Sequence, residues 1–429
     1  MSVIHASTTL ARSSLGLFDQ ISRHIPQHRG NVLLYAVSTN TPYLEQIVSM
    51  LTALSTESIG CLSRPLLQHS TGSQTSSSLS LAVFKKEHCI PFRANIPGAQ
   101  PVQVGRWHSF RNPNSRTQDR AGSDEILTSG VNWDELWGRK NVDQPLPDEI
   151  NAMSDVHSFV FFSDDSHQGL SNSLHRRYPQ SNKLGLVSSS TPFVNGKPFS
   201  LLRNGTLHTS GAVGLALTGT PPPTSSLSFH GLTPLAAPMV ITKWEGNLIH
   251  ELDGSNPSQL LLNAIRSRGL TGEIMKSDDF FVGMLDSQTA DQSKFHRVYR
   301  IQSGDPARGS IALESDATPS QNWSVQFLHR PSSERVMLPD GMLQSRSQPN
   351  SMSCPPTEFT LGFLADPTDE YVAPAGDAPD IVDDNMHSTR VFHNAFLASS
   401  ENGFISNIGM DEPPWRCTVP GAFGALRWR

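Results

Sequence analysis

Residues 231–254, GLTPLAAPMVITKWEGNLIHELDG, lie near the middle of the chain and predict one compact β-hairpin unit. Residues 239–242 are rich in β-branched side chains, which is typical of a strand. Residues 245–247, EGN, supply the turn, and residues 248–252 predict the returning strand. After a closing Asp-Gly turn, the apolar spacing of residues 258–270 predicts a helix. We interpret this unit as the seam between two halves of the protein.

The first half alternates strand and helix patterns. Residues 31–38 form a continuous apolar run that predicts a buried strand. Apolar residues then recur at helical spacing from Pro42 onward, and residues 58–62 predict the next strand. A second apolar run at residues 158–165 ends in two acids and is followed by a helix and by another strand at 183–188. This alternation predicts an α/β fold.

The length of the chain predicts more than one domain. A protein of 429 residues, 37% of them hydrophobic, can bury more than one core. The run TPPPTSSLS contains consecutive prolines, which cannot continue a helix or a central strand, so we predict a linker at 221–229. The predicted domains are 1–220 and 230–429, each a mixed sheet flanked by helices. The polar stretch at about 97–148 is interpreted as an insertion in the first domain.

Composition excludes several classes of function. The net charge of -6 and the isoelectric point near 6.2 give no basic field for nucleic acid. No apolar run reaches the ~20 residues that a membrane helix needs, so we expect no membrane partner. The four cysteines are far apart and form no C-x-x-C pair, which disfavours structural zinc and a disulfide framework. A reducing, cytoplasmic location fits these features.

The N-terminus allows two interpretations. Residues 1–30 contain three arginines and only one acid, the composition of a mitochondrial presequence. The same residues also predict a first strand beginning at Val3 and a helix capped by Ser14. The apolar face of that helix would consist of Leu15, Phe18, Ile21 and Ile25. We favour the strand and helix and keep mitochondrial import as the alternative.

The central hairpin resembles the signature of FIST-domain proteins. The resemblance rests on VIT at 240–242, GN at 246–247 and ELDG at 251–254. GAVGLALTG at 211–219 and the strand at 158–165 also resemble strands of that family. The chain is therefore identified as a stand-alone, eukaryotic-type member, with FIST N-like and FIST C-like halves and no F-box. The resemblance implies a sensory or adaptor role rather than a particular reaction.

The usual signatures of enzymes are absent from the sequence. It contains no G-x-S-x-G elbow, no G-x-x-x-x-G-K phosphate loop and no H-E-x-x-H zinc motif. Because catalytic groups can converge from distant positions, this absence lowers the expectation of an enzyme without excluding one.

The acids that end the strand at 158–165 are the first candidate site. Asp164 and Asp165, beside His167, could bind a divalent metal or act as acid and base. The alternative is a solvated turn in which an aspartate caps the next helix, and we favour it.

Three further candidates are one short cluster and two single residues. Arg106, Trp107 and His108 combine a cation, a stacking surface and a titratable ring. The alternative is that Trp107 only anchors its loop to the body of the protein. Arg203 could hold an anionic group, although a surface arginine before a turn is the simpler reading, and Asn247 could contact a ligand from the hairpin turn.

A branch of the FIST family is reported to bind haem, so the resemblance raises the question of an axial ligand. His208, His250 and His296 lie on predicted strands and are the candidates. The sequence has no C-x-x-C-H motif, and we favour core or surface roles for these residues. The cofactor therefore remains unknown.

Three functions are compatible with the sequence. The first is a non-catalytic sensory module of signal transduction that holds a small, amino-acid-like molecule in a crevice between the halves. The second is an adaptor that recruits a protein partner for ubiquitination or signalling, and an exposed apolar patch would favour it. The third is an enzyme with a dispersed active site, which convergent groups of perturbed pKa would favour.

Overall fold

A computed structural model describes residues 2–24, 28–66, 76–96, 145–219, 221–270, 279–285, 295–304, 309–315, 323–331, 336, 358–367, 389–407 and 413–429. The helices in these ranges are α1 (Ser14–His24), α2 (Leu44–Leu54), α3 (Asp148–Asn151), α4 (Gln168–Arg177), α5 (Pro192–Asn195) and α6 (Pro257–Ser267). The strands are β1 (Val3–Ala11), β2 (Val32–Ser38), β3 (Glu57–Ser63), β4 (Ser77–Phe84), β5 (Cys89–Ala94), β6 (Ser158–Ser163), β7 (Asn182–Val187), β8 (Leu201–Arg203), β9 (Thr206–His208), β10 (Ala212–Leu217), β11 (Thr224–Phe229), β12 (Thr233–Pro234), β13 (Met239–Glu245), β14 (Leu248–Leu252), β15 (Asp279–Leu285), β16 (Phe295–Gly304), β17 (Ile311–Leu313), β18 (Ser324–Arg330), β19 (Phe359–Ala365), β20 (Arg390–His393), β21 (Ala395–Ser400), β22 (Phe404–Ser406), β23 (Trp415–Cys417) and β24 (Ala422–Trp428).

Two mixed sheets form the first half of the fold. The first has the strand order β20-β1-β4-β2-β3-β8-β9, and the second has the order β23-β22-β7-β6-β10-β5. Each contains one parallel pair, β2 with β3 and β6 with β7, and all other neighbours are antiparallel. A helix connects the strands of each parallel pair, α2 in the first sheet and α4 in the second. The predicted β-α-β units are confirmed.

The two sheets are an internal repeat, in which β1-β4-β2-β3-β8-β9 corresponds to β5-β10-β6-β7-β22-β23. In the first parallel pair Tyr35 lies opposite Gly60, and in the second Phe161 lies opposite Gly185 at the same place in the strands. A Cβ added at Gly60 would lie 2.3 Å from the tyrosine ring, and one added at Gly185 would lie 2.4 Å from the phenylalanine ring. Each aromatic ring therefore covers a position that only glycine can occupy.

The repeat extends to a hydrogen bond at the end of the central strand. The backbone N–H of Ser78 donates to the Ser38 hydroxyl at 2.7 Å. At the corresponding place in the second sheet, the N–H of Gly211 donates to the Asp164 carboxylate at 2.8 Å. Two different side chains thus perform the same task, tying the end of the central strand to its antiparallel neighbour.

The outer hairpins of the two sheets, β8-β9 and β22-β23, also correspond. Leu202 of β8 faces Leu207 of β9, and Ile405 of β22 faces Arg416 of β23. Leu202 lies opposite Gly60, as Ile405 lies opposite Gly185. Leu207 and Arg416 therefore occupy equivalent positions.

The helices cover the outer faces of the two sheets. Helices α1 and α2 pack on the first sheet, with Leu17, Ile21 and Ile47 fully buried there. Helix α4 packs on the second sheet through Leu170 and Leu174. The predicted face of α1 is correct at Ile21 but not at its start, because Leu15 is 63% exposed.

The inner faces of both sheets share a core with a smaller sheet of order β11-β24-β19-β21. Phe162 of the second sheet lies 6.0 Å from Phe363 and 6.5 Å from Phe396, measured between ring centroids. The predicted linker at 221–229 is not free of structure, because its residues 224–229 form the edge strand β11 beside β24. The consecutive prolines end before this strand, so they do not interrupt its pairing.

The central hairpin, residues 239–252, is part of a closed antiparallel barrel. The barrel strands follow the order β13-β14-β17-β16-β15-β18, and pairing between β18 and β13 and between β18 and β15 closes it. The predicted hairpin and the helix after it are confirmed. Helix α6 begins where the Asn256 side chain accepts the N–H of Gln259 at 2.9 Å.

The prediction of an α/β fold with mixed sheets is confirmed, while the division into two domains remains a prediction. Strands from the end of the chain, β20, β22 and β23, complete the two sheets of the first half. Strand β1 lies between β4 and β20, so the N-terminal residues 3–11 belong to the first sheet. No helix among the described residues is long and apolar enough to cross a bilayer.

Candidate functional site

A cavity of about 610 Å³ opens at the carboxyl edge of β2 and β3. Its walls come from the loop after β2, the first turn of α2, the segment from α5 to β8, and β9. The polar residues that line it are Thr39, Thr41, Tyr43, Glu45, Gln46, Asn195 and Ser200. The apolar residues that line it are Pro42, Leu44, Val48, Leu62, Val194, Leu202 and Leu207. In α/β sheets this edge is the usual place for a ligand.

The start of α2 gives the cavity a polar end. Tyr43 precedes the helix in the left-handed conformation, with φ of 53°, and no side chain caps the helix. A non-glycine residue pays about 1–2 kcal/mol for this conformation, so the surrounding structure must hold it in place. The residues of the first turn line the cavity, where the N-terminal N–H groups and the positive end of the helix dipole attract an acceptor or an anion.

Charge in the cavity is sparse. Glu45 is the residue of the described lining that carries a charge at neutral pH, and no lysine, arginine or histidine is among the described lining residues. Glu45 is exposed at the mouth of the cavity. The cavity therefore combines an apolar wall, neutral hydrogen-bonding groups and one carboxylate.

The corresponding edge of the second sheet is filled by side chains. Arg416 forms an ion pair with Asp165, and its Nε atom donates to the carbonyl oxygen of Asn402 at 2.7 Å. The Glu401 carboxylate accepts the N–H of Ser190 at 2.7 Å. Residues from the end of the chain thus occupy the edge that is open in the first sheet.

Asp164 is part of the turn at this filled edge. Its carboxylate accepts the N–H of Ser166 at 2.9 Å and the N–H of Gly211 at 2.8 Å, and the residue is buried. Asp164 thus closes a turn, but the turn is buried rather than solvated, and no side chain of the described residues caps α4. No group of three His, Cys, Asp or Glu side chains in the described part of the chain is placed to hold a metal ion.

His167 is buried beside the Arg416–Asp165 pair. Burial first and the nearby Arg416 second lower the pKa of its imidazole from 6.5 to about 3, and Asp165 opposes both effects. The ring is therefore neutral at physiological pH. His167 directly precedes α4 as Tyr43 directly precedes α2, and Tyr43 lines the open cavity.

The other predicted site residues are not brought together. Arg203 lies 3.4 Å from the Glu149 carboxylate and is outside the described lining of the cavity. Asn247 is buried in the barrel, where its amide donates to the Leu313 carbonyl at 2.9 Å and fixes the hairpin to β17. Arg106, Trp107 and His108 fall outside the described residues.

The histidines considered as haem ligands lie on three different strands. His208 is in β9, His250 is in β14 and His296 is in β16. None of them is among the described residues that line the cavity. The donor set at the cavity therefore does not fit haem, and we assign no role to that cofactor.

Residues 32–255 match the FIST N domain. The chain belongs to the FIST family. The match begins at β2 and includes every described residue that lines the cavity. FIST domains are sensory domains of signal transduction. No curated protein matches the chain in sequence.

Proposed function

We propose that this FIST protein is a sensory module that binds a small, amino-acid-like molecule in the cavity at the edge of β2 and β3. The observation that supports it is the contrast between two equivalent edges. The edge of the second sheet is filled by Arg416 and Glu401, whereas that of the first sheet is open. A volume of about 610 Å³ lies within the range of about 300–1,000 Å³ that is typical of small-molecule sites.

The lining suits a molecule with a polar head and an apolar body. A carboxylate or carbonyl oxygen would accept hydrogen bonds from the first turn of α2. An ammonium group would pair with Glu45, and an apolar side chain would pack against Leu202 and Leu207. This cavity lies within the first half, so the ligand need not sit between the halves.

The remainder of the chain has a supporting role in this proposal. We take residues 230–429 as the FIST C-like part, from which strands β20 and β22 extend the two sheets. Ligand binding would stabilise the folded state by mass action and be read out by the protein's surface. We place this activity in the cytoplasm, and mitochondrial import is the alternative.

A thermal-shift titration with a panel of amino acids and related amines tests the proposal. Leu207→Trp narrows the mouth of the cavity at a residue that is 41% exposed, and Val240→Trp is the matched control at a residue that is 38% exposed on the barrel. A ligand should raise the Tm of the wild type and of Val240→Trp but not that of Leu207→Trp. Equal shifts in both variants, or no shift with any compound, would contradict the proposal.

The adaptor function is the second candidate, because apolar side chains are exposed around the cavity. Tyr43 is 41% exposed, Leu207 is 41% exposed, and Phe193, next to the lining residue Val194, is 77% exposed. A protein partner could cover these side chains. Phe193→Asp should then abolish co-purification of a specific partner from the native host, while small-molecule binding by the cavity stays unchanged.

A further inference from the structure

The open cavity corresponds to the space that an ion pair spans in the second sheet. Leu207 of β9 is equivalent to Arg416 of β23, because each faces the middle residue of the neighbouring strand. Thr39 is equivalent to Asp165, because each directly follows the residue that accepts the N–H from the antiparallel strand. Leu207 and Thr39 both line the cavity.

The filled edge shows which chemical group fits between these positions. A guanidinium is held there by the carboxylate of Asp165 and by the carbonyl of Asn402. Its aliphatic stem starts beside Ile405, on the side of the sheet that α4 covers. In the first sheet the neighbour at this position is Leu202, so an apolar surface for such a stem is present.

Charge at the open edge favours the same chemistry. Glu45 is negative, and no cationic side chain is among the described lining residues. An anion without a compensating ammonium group would be repelled by this carboxylate. Its attraction would come only from the partial positive charge of the helix terminus. A cation would gain a direct partner.

We propose that the open cavity binds an organic cation, an alkylguanidinium or alkylammonium compound, with its stem against Leu202 and Leu207 and its charge beside Glu45. This inference rests on the proposed function and narrows the amino-acid-like ligand to one with a basic group. In the first sheet the protein would bind this cationic group as a free ligand. In the second sheet its own Arg416 supplies the group.

Isothermal titration with three probes of similar length tests the charge. Butylguanidine is the cation, pentanamide is the neutral control and pentanoate is the anion. Butylguanidine should bind, pentanamide more weakly, and pentanoate should not bind, because the full negative charge of Glu45 outweighs the partial positive charge of the helix terminus. Glu45→Gln should weaken butylguanidine binding roughly fivefold, the scale of an exposed ion pair. The matched control Glu87→Gln, at an exposed glutamate before β5, should leave binding unchanged.

A double variant tests the equivalence of the two edges. Thr39→Asp with Leu207→Arg reproduces in the first sheet the pair found in the second, and it should abolish butylguanidine binding while circular dichroism shows a folded protein. If the double variant does not fold, Leu207→Trp serves as the blocked cavity. Binding that persists in a folded, blocked variant would overturn the inference, as would failure of butylguanidine to bind the wild type. If an anionic or neutral compound binds the wild type at least as tightly as butylguanidine and is excluded by the blocked variant, the sensory proposal stands and the cation is wrong.

Discussion

The buried imidazole of His167 should make the folded protein sensitive to acid. Its pKa is lowered to about 3 by burial first and by Arg416 second, while the unfolded chain has the ordinary value of 6.5. Above the unfolded pKa both states hold the ring neutral, and its contribution to stability is fully present. As the pH falls below that value, the unfolded state takes up a proton that the folded state cannot accept. Stability is therefore lost on acidification, and the loss continues until the pH approaches the folded pKa.

The magnitude follows from this difference in pKa. Between the unfolded pKa of 6.5 and the folded pKa of about 3, each pH unit costs about 1.4 kcal/mol. Acidification from about pH 7.5 to about pH 4.5 covers about two units of that interval, so it should lower the free energy of unfolding by about 2.5 kcal/mol through this group. Other titrating groups contribute too, so the test is a difference between wild type and His167→Gln. The variant removes the titration while keeping a polar side chain of similar reach.

Urea unfolding at a series of pH values measures this difference. The wild type should lose about 2.5 kcal/mol more than His167→Gln across that interval, an amount well above the error of comparing midpoints. The chemical shifts of the His167 ring in the folded wild type should also stay at the values of the neutral imidazole over the same pH interval. Parallel pH profiles for the two proteins, or a ring that titrates near its ordinary pKa, would show that His167 does not cause the acid sensitivity.

Two further predictions concern residues that hold the repeat and its neighbours together. Gly185→Ala places a methyl group 2.4 Å from the Phe161 ring and should lower the free energy of unfolding by about 1–3 kcal/mol in urea, while Gly30→Ala, which meets no atom within 4 Å, should change it little. Equal midpoints for the two alanine variants would contradict the packing described. Arg64→Ala removes the guanidinium that donates to the buried carboxylate of Asp366 at 3.0 Å, and should cost about 3 kcal/mol. Arg64→Lys should recover part of that loss, and a variant as stable as the wild type would show that this pair does not tie β3 to β19.

Local sequence patterns predicted the elements that depend on near neighbours. Apolar runs separated by a helical pattern predict the parallel pairs β2 with β3 and β6 with β7. The hairpin of β13 and β14 is specified by its own turn residues. These elements need no information from distant parts of the chain.

The repeat could not be predicted in this way because its partners are distant in sequence and different in type. Strands β22 and β23 have three residues each and reach the second sheet from the end of the chain, far from the strands that they extend. The equivalent positions carry leucine at Leu207 and arginine at Arg416, or serine at Ser38 and aspartate at Asp164. Nothing in the residue types reveals that they correspond.

The candidate site was missed for a related reason. Charged pairs such as Asp164 and Asp165 attract attention in a sequence, and they lie at the edge that the chain itself fills. The open edge is lined by Thr39, Thr41 and leucines, residue types that occur in any loop or core. The order of the elements did indicate the site. The turn between the first strand and the helix of the predicted β-α-β unit lies at the carboxyl edge of a sheet, where ligands bind in α/β folds.

The central claim is that the first repeat holds the ligand and the second holds its own side chains. Two-dimensional NMR of the isotope-labelled protein, titrated with butylguanidine, tests it most directly. We expect saturable shifts of the resonances of Thr39, Glu45 and Leu207, and no change in those of Asp165 and Arg416. Shifts confined to Asp165 and Arg416, or found at neither edge, would contradict it.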